Sequence, residues 1–374
     1  MTRAPEQGAV HRQVQLDTIR ALSLVTVVFQ HTMNPQGRVA GTIGSMGLMV
    51  FFVLSGYLIN GLLLEARARA EAEQVKMGVV LRRFYIRRFL RIFPLYYAVL
   101  GIAVLLGEPT TRRYIVELAT YQTNFLMASV GHNLPPVTPL WSLAVEEHFY
   151  LFWPLIALYT SRRFARLSIV VMILGPVVAR AIAAAQGSSF QVVAMPTYAA
   201  IDGIAMGCAL AILMRDASAE VRARWVTGSL WAGIALFVLF VALRHSSFPQ
   251  RRVWSSALNM IPIGLMTIWL IDRAASNRLP HLFNNLLLGR LGVISYGMYM
   301  LHRYVMHFLG YDGSRGWVVF GSVYAVSALL AALSWQFFES PLNNLKRFWP
   351  YVPAHDGRRA QAVASDVRTV TSTL

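Results

Sequence analysis

The chain has 374 residues, of which 56% are hydrophobic and 14% charged, and its mean hydropathy is +0.49; soluble domains carry about 25% charged residues. That composition excludes one water-soluble core, because apolar stretches of roughly 17 to 22 residues recur, each long enough to cross a hydrocarbon layer about 30 Å thick. The net charge of +17 sits mostly in short segments between those stretches, where it reads as a topology signal rather than a nucleic-acid surface.

The polar segment Met1 to Leu16 has no basic region leading to a small-residue cleavage site, so the first apolar run is expected to be retained. Spans are expected at 17–33, 44–64, 90–107, 143–160, 167–186, 197–214, 225–243, 254–271, 290–309 and 317–338. Ten crossings place both termini on one side. That side carries 25 of the 34 Lys and Arg residues against 7 opposite, so both termini are expected in the cytoplasm. The expectation is an all-α, polytopic integral membrane protein with about ten transmembrane helices around a polar cavity. Segment 108–142, with Pro135, Pro136 and Pro139, is read as a folded outer segment; a crossing by 114–128 would weaken the charge bias. The stretch 346–374 is expected to be a short, disordered cytoplasmic tail. Cys208, the single cysteine, excludes an internal disulfide and a thiolate metal cluster; it is read as packing, and no metal is expected.

Ionisable groups inside spans cost several kcal/mol unless paired or hydrated, which makes them functional candidates. The first span holds Asp17, Arg20 and His31. Arg20 and His31 are eleven residues apart, which places them within about 20° of one helix face and about 16 Å apart along its axis. The second span carries Phe51, Phe52, Ser55, Gly56 and Tyr57, where small residues allow close helix packing or leave room for a thin ligand arm. Between spans, Arg83, Arg87, Arg88 and Arg91 cluster on one arc of a basic interfacial helix, suited to anionic headgroups or to the phosphates of a nucleotide.

Glu146, Glu147 and His148 stand together in the fourth span after Trp141 and Ser142. Two adjacent carboxylates near lipid suit proton transfer, or a structural ion pair with Arg180 or Arg303. Later spans add Asp202, Ser295, Tyr299, His302, Arg303 and His307. A hydrated interior cavity accommodates such groups in a proton-coupled transporter as well as in an enzyme.

Several motifs occur in order: Arg20 and His31 with ten residues between them; FFxxSGY at Phe51 to Tyr57; RxxRxxP at Arg88, Arg91 and Pro94; WSLxVEE at Trp141 to Glu147; ISYGxYxxH at Ile294 to His302; and FFESP at Phe337 to Pro341. In this the chain resembles the acyltransferase 3 family of bacterial membrane O-acyltransferases over about residues 14–345. The resemblance implies a multi-pass protein of the bacterial cytoplasmic membrane that moves an acyl group, acetyl foremost, from cytoplasmic acyl-CoA to a hydroxyl of a glycan, lipid-linked sugar or glycosylated small molecule. Acyl-CoA is then a co-substrate, with no bound cofactor. It further implies that Arg88 and Arg91 hold CoA phosphates, that Arg20, Ser55 and Tyr57 border the donor arm between the first two spans, and that His31 meets the thioester, with Glu146 or Glu147 orienting it. Asp17, Trp141, Ser142, His148, Asp202, Ser295, Tyr299 and His302 are expected to support the cavity. His148 departs from the family's usual Gln. The rival reading is a proton-coupled transporter, against which stand the absence of a repeated half and the unexplained RxxR helix.

Overall fold

The computed structural model describes residues 13–33, 38–312 and 314–352. Among them there are helices and no strands. The long elements are α1 (Val14–Met33), α2 (Arg38–Ala72), α3 (Met77–Leu105), α4 (Leu140–Tyr159), α5 (Arg162–Ala185), α6 (Asp202–Asp216), α7 (Ala219–His245), α8 (Arg251–Leu258), α9 (Ile261–Ala275), α10 (Leu286–Val293), α11 (Ser295–Phe308) and α12 (Trp317–Ser334). Among the described residues six helical stretches are long and apolar enough to cross a membrane: 43–72, 77–105, 162–185, 219–245, 251–275 and 317–348. The chain is a multi-pass membrane protein. α1, α4 and α11, which carry most of the candidate groups, are not among the six: polar side chains interrupt the apolar run of α1 and α4, and α11 has only 14 residues.

α5 shows how the solvent inverts the usual pattern. Leu167, Val171, Leu174, Val178 and Ile182 recur at helical spacing, and each is more than half-exposed or close to it, while Ile169, Pro176, Arg180 and Ala184 are buried. Its apolar stripe faces lipid and its cation faces protein. Ser161 starts the helix by accepting from the Phe164 N–H, as Ser218 does for Val221 at the start of α7.

The two helices at the centre, α2 and α6, approach until their backbones touch. Gly207 lies on the Val53 carbonyl and Gly56 on the Ile204 carbonyl, so a Cβ at either position would overlap the opposite chain. Gly203 and Gly207 form a small-xxx-small pair, the arrangement that lets membrane helices pack without a hydrophobic driving force. Gly207→Val is expected to lower the folded fraction in detergent by about 1–3 kcal/mol, the cost of overpacking. Gly101→Val, where no neighbour lies within 4 Å, is the control; equal melting of the two variants would dismiss the close-packing account.

Segment 108–142 folds as Pro109–Arg113, Ile115–Ala119 and Thr123–Val130, each too short to cross a bilayer. Glu108 caps the first of these by accepting from the N–H groups of Thr110 and Thr111.

The tail departs from expectation between residues 346 and 352. Leu345–Phe348 is a 3-10 turn, and the Arg87 Nη1 donates to the carbonyls of Lys346 (2.8 Å) and Trp349 (3.2 Å), while the Arg83 Nη1 donates to that of Pro350 (2.6 Å). The Arg87 guanidinium also lies 4.6 Å over the Tyr351 ring. Carbonyls left over at a helix end are good acceptors for guanidinium, so the basic arc fixes this stretch in place. The rest of the expected tail, 353–374, lies outside the described residues.

Candidate active site

His31, in the last turn of α1, and His302, in α11, meet with Nδ1 of His31 3.0 Å from Nε2 of His302. Their rings are stacked at 5.1 Å. His302 is fully buried, and its Nδ1 lies 2.7 Å from the Tyr299 carbonyl. A carbonyl can only accept, so in the neutral pair the proton of His302 is on Nδ1 and its Nε2 is an acceptor. His31 must then donate from Nδ1, which leaves the lone pair of its Nε2 unused.

His31 lines a cavity of about 580 Å³. The remaining walls come from helix ends and connections: Gln30, Asn133, Pro139, Trp141, Arg244, Asn259, Arg303 and Arg315 are among them. The cavity therefore opens at one end of the bundle, opposite the end at which the basic segment of α3 begins. Tyr299 forms part of its floor. The Tyr299 hydroxyl is 2.5 Å from Ser142 Oγ and donates to the Pro139 carbonyl at 3.0 Å, and its ring lies beside His302 and Phe51.

A second group of polar side chains lies deeper. Glu146 accepts from Ser55 Oγ (3.1 Å) and from the Tyr150 hydroxyl (2.9 Å), with Ser55 and Tyr150 3.0 Å apart. Glu147 Oε1 is buried with no hydrogen-bond partner. Neither carboxylate forms an ion pair among the described residues. Instead the charges of Arg20 and Arg88 reach Glu146, and that of Arg88 reaches Glu147. The Tyr299 hydroxyl meets Ser142 on α4, the helix that carries both carboxylates, and its ring lies beside His302.

On the basic helix the four arginines divide by task. Arg83 and Arg87 hold the closing segment, as described above. Arg88 and Arg91 form neither ion pairs nor hydrogen bonds among the described residues; they lie over Phe84 (5.8 Å) and Trp335 (5.2 Å), and Arg88 Nε is a buried donor with no acceptor. The Lys346 ammonium is close enough for their charges to act on it. The charge of Glu339 also acts on Arg91; two guanidiniums beside an ammonium have the chemistry to bind phosphate oxygens.

Other expected site residues lie elsewhere. His148 points away from the carboxylates, with Nδ1 2.6 Å from Thr197 Oγ1 and its ring against Phe125, because consecutive helical residues diverge by about 100°. Asp202 is locked to Arg180 at 2.8 Å and both are fully buried; this is a structural knot, and Asp202 is not among the described cavity walls. Arg180 is thus no partner of the carboxylates. Asp17 pairs with Arg20 on the same helix face (2.6 Å). Ser295 Oγ donates to the Gly292 carbonyl at the break between α10 and α11. Tyr57 lies within reach of the Arg222–Asp272 pair rather than the basic helix.

Two expected arrangements are not what the geometry shows. Among the described residues no carboxylate bonds to His31; His302 orients it. Nor is there space for a ligand arm between α1 and α2 at Gly47, which rests on the Ser23 carbonyl and Thr26, while Gly56 is filled by the backbone of α6. Sequence reasoning missed Tyr150, although its position four residues after Glu146 places it on the same helix face. It also missed Lys346, for which no local signal exists.

The family model described as an acyltransferase domain, that of the acyltransferase 3 family, matches residues 13–335. The chain is 29% identical over 363 residues to the peptidoglycan O-acetyltransferase OatA of Listeria monocytogenes, covering 88% of this chain and 55% of that protein. It is 27% identical over 362 residues to YrhL of Bacillus subtilis, provisionally named a peptidoglycan O-acetyltransferase, covering 89% of this chain and 55% of that protein. The chain thus spans little more than half the length of these relatives. No solved structure matches it significantly.

Proposed function

The chain belongs to the acyltransferase 3 family, and on that premise we propose that it moves an acetyl group from cytoplasmic acetyl-CoA to a hydroxyl of a glycan on the far side of a bacterial cytoplasmic membrane, crossing ten times with both termini in the cytoplasm. The observation that carries this reading is the oriented pair: His31, held by His302, which the Tyr299 carbonyl fixes in turn, has an unused ring nitrogen and borders the cavity. The names of the relatives, both O-acetyltransferases, favour acetyl as the group and a glycan as the acceptor.

In the proposed reaction the CoA phosphates rest on Arg88, Arg91 and Lys346, and the thioester reaches His31 along the side of the bundle where Arg20, Arg88, Glu146 and Tyr299 succeed one another. His31 Nε2 takes the proton of the acceptor hydroxyl as its oxygen attacks the thioester carbonyl. The C–S bond breaks as the ester forms, and CoA leaves as a thiol. Its proton comes from the His31 imidazolium or from the Glu146–Glu147 group, which lies towards the donor end. An acyl-enzyme trapped on His31 without acceptor would replace this with a two-step route.

Membranes containing the protein, given radiolabelled acetyl-CoA and a lipid-linked glycan fraction, should label the glycan; label no higher than in membranes without it would reject the reading. Arg88→Ala should raise the KM for acetyl-CoA roughly 10- to 100-fold, as expected for loss of hydrogen bonds to a charged group worth about 1.5–3 kcal/mol, with kcat recovered at high donor concentration. Arg83→Ala, which removes the hydrogen bond to the Pro350 carbonyl, should leave KM near its starting value. The reverse ranking would move the phosphate site.

A further inference from the structure

We propose that the cavity selects an anionic acceptor, a sugar bearing a phosphate or carboxylate close to the hydroxyl that is acylated, with Arg303 and Arg244 as the residues that hold the anion. This rests on the preceding reading for the chemistry at His31 and adds the class of substrate.

The described walls of the cavity include three arginines, Arg244, Arg303 and Arg315, and no Asp or Glu. A concave, partly apolar site lined by one sign of charge focuses its field and concentrates ligands of the opposite sign. Arg303 is the most telling of the three. Among the described residues its Nη1 donates to the Met306 sulfur, at 3.1 Å, and its Nε is buried without an acceptor. A guanidinium withdrawn from water needs an anion and hydrogen-bond acceptors to offset desolvation. The charge of Asp312 acts on it, but that carboxylate is itself engaged with His307.

Position gives the charge its meaning. The Arg303 charge reaches both His31 and His302, and Arg303 lines the same cavity as His31. An anion on its fork would therefore set a neighbouring hydroxyl beside His31 Nε2, which is how a fixed charge becomes orientation. Arg244 is exposed and lies over the Phe240 ring at 5.9 Å, a second donor at the rim. Trp141, Phe190 and Tyr299 supply apolar walls, and about 580 Å³ is within the usual range for a small-molecule site. Neutral sugars would leave the cation unpaired.

The test uses the full chain in phosphatidylcholine nanodiscs at saturating CoA, so that the basic helix is occupied. Binding of glucose 1-phosphate, glucuronate and glucose is compared by titration. At least one anionic sugar should bind about tenfold or more tighter than glucose, the effect of one charge-assisted hydrogen bond. Tighter binding of the phosphate alone, or of the uronate alone, identifies the anion. Arg303→Gln should reduce the preferred sugar to the level of glucose, and Arg244→Gln, at an exposed position where folding is not at stake, should weaken it severalfold. Equal binding of all three sugars, or an unchanged preference in both variants, overturns the proposal. Repeating the titration in discs containing phosphatidylglycerol should preserve the preference; its disappearance would assign the arginines to lipid headgroups and also overturn the proposal. Acetyl-CoA binding that is weakened by Arg88→Ala is read in the same discs. Its persistence alongside equal sugar affinities would reject the anion alone, whereas its absence would count against the proposed function.

Discussion

His31→Ala is expected to lower acetyl transfer by roughly 10²- to 10⁴-fold, the contribution of a positioned general base, without lowering the amount of protein in the membrane. The side chain lies at the end of α1 and borders the cavity, so its loss removes the reacting nitrogen while leaving the helix core intact. His302 is a positioning residue in the same chain of hydrogen bonds. His302→Leu deprives His31 of its acceptor and should cost less than His31→Ala, while His302→Gln, whose carbonyl oxygen can accept from His31 Nδ1, should recover part of the rate. The checks are initial rates with labelled acetyl-CoA and protein level by immunoblot. Full activity of His31→Ala would remove the assigned chemistry, and equal rates for the Leu and Gln variants would mean that His302 merely fills space.

The second large effect is on stability. Arg180 joins α5 to three neighbours through Asp202 (2.8 Å), the Ala199 carbonyl (2.7 Å) and the Ala257 carbonyl (3.0 Å), and Asp202 Oδ1 accepts from the Gly203 N–H. Arg180→Met should destabilise by about 3–5 kcal/mol, because it strands a buried carboxylate. The double variant Arg180→Met, Asp202→Asn removes the stranded charge and should melt higher than Arg180→Met alone, with a coupling of roughly 0.5–3 kcal/mol. Thermal unfolding of the detergent-solubilised proteins reads both. A double variant as unstable as the sum of the two single changes would show that charge pairing is not what the knot contributes. Transfer by the fraction that still folds should remain close to normal, since neither residue borders the cavity.

The two groups of predictions separate residues that look alike in sequence. Arg180, Arg88 and Arg303 are all arginines where apolar residues predominate. One is fully paired, one has a buried donor without an acceptor at the basic end, and one faces the cavity beside the histidines. Only contacts distinguish them, and those of Arg180 run 19 to 77 residues along the chain. The same holds for the basic arc: its arginines were visible as a stripe, but the division into Arg83 and Arg87, which hold the closing segment, and Arg88 and Arg91, which do not, depends on carbonyls some 260 residues away. His148 was misplaced for a simpler reason. Adjacency in sequence was read as adjacency in space, although a helix turns about 100° per residue.

Composition by itself determined that lipid is the solvent, because no single core can cover so much apolar surface, and the ordered motifs from Arg20 to Pro341 determined the family. Helix geometry alone placed Arg20 and His31 on one face, and the resemblance to the family made His31 the principal base candidate. Tertiary structure decided what that base is bound to. The partner that fixes its tautomer, His302, is 271 residues away, and the carboxylates expected to orient it bond to Ser55 and Tyr150 instead. It also closed the expected passage between α1 and α2 by bringing Gly47 onto the backbone of α1, and gathered the cavity's arginines from separate connections and helix ends. Local sequence sets which face of a helix is polar. Which polar face meets which is settled by packing, since the cost of an unpaired group in lipid is met only when distant helices supply its partner.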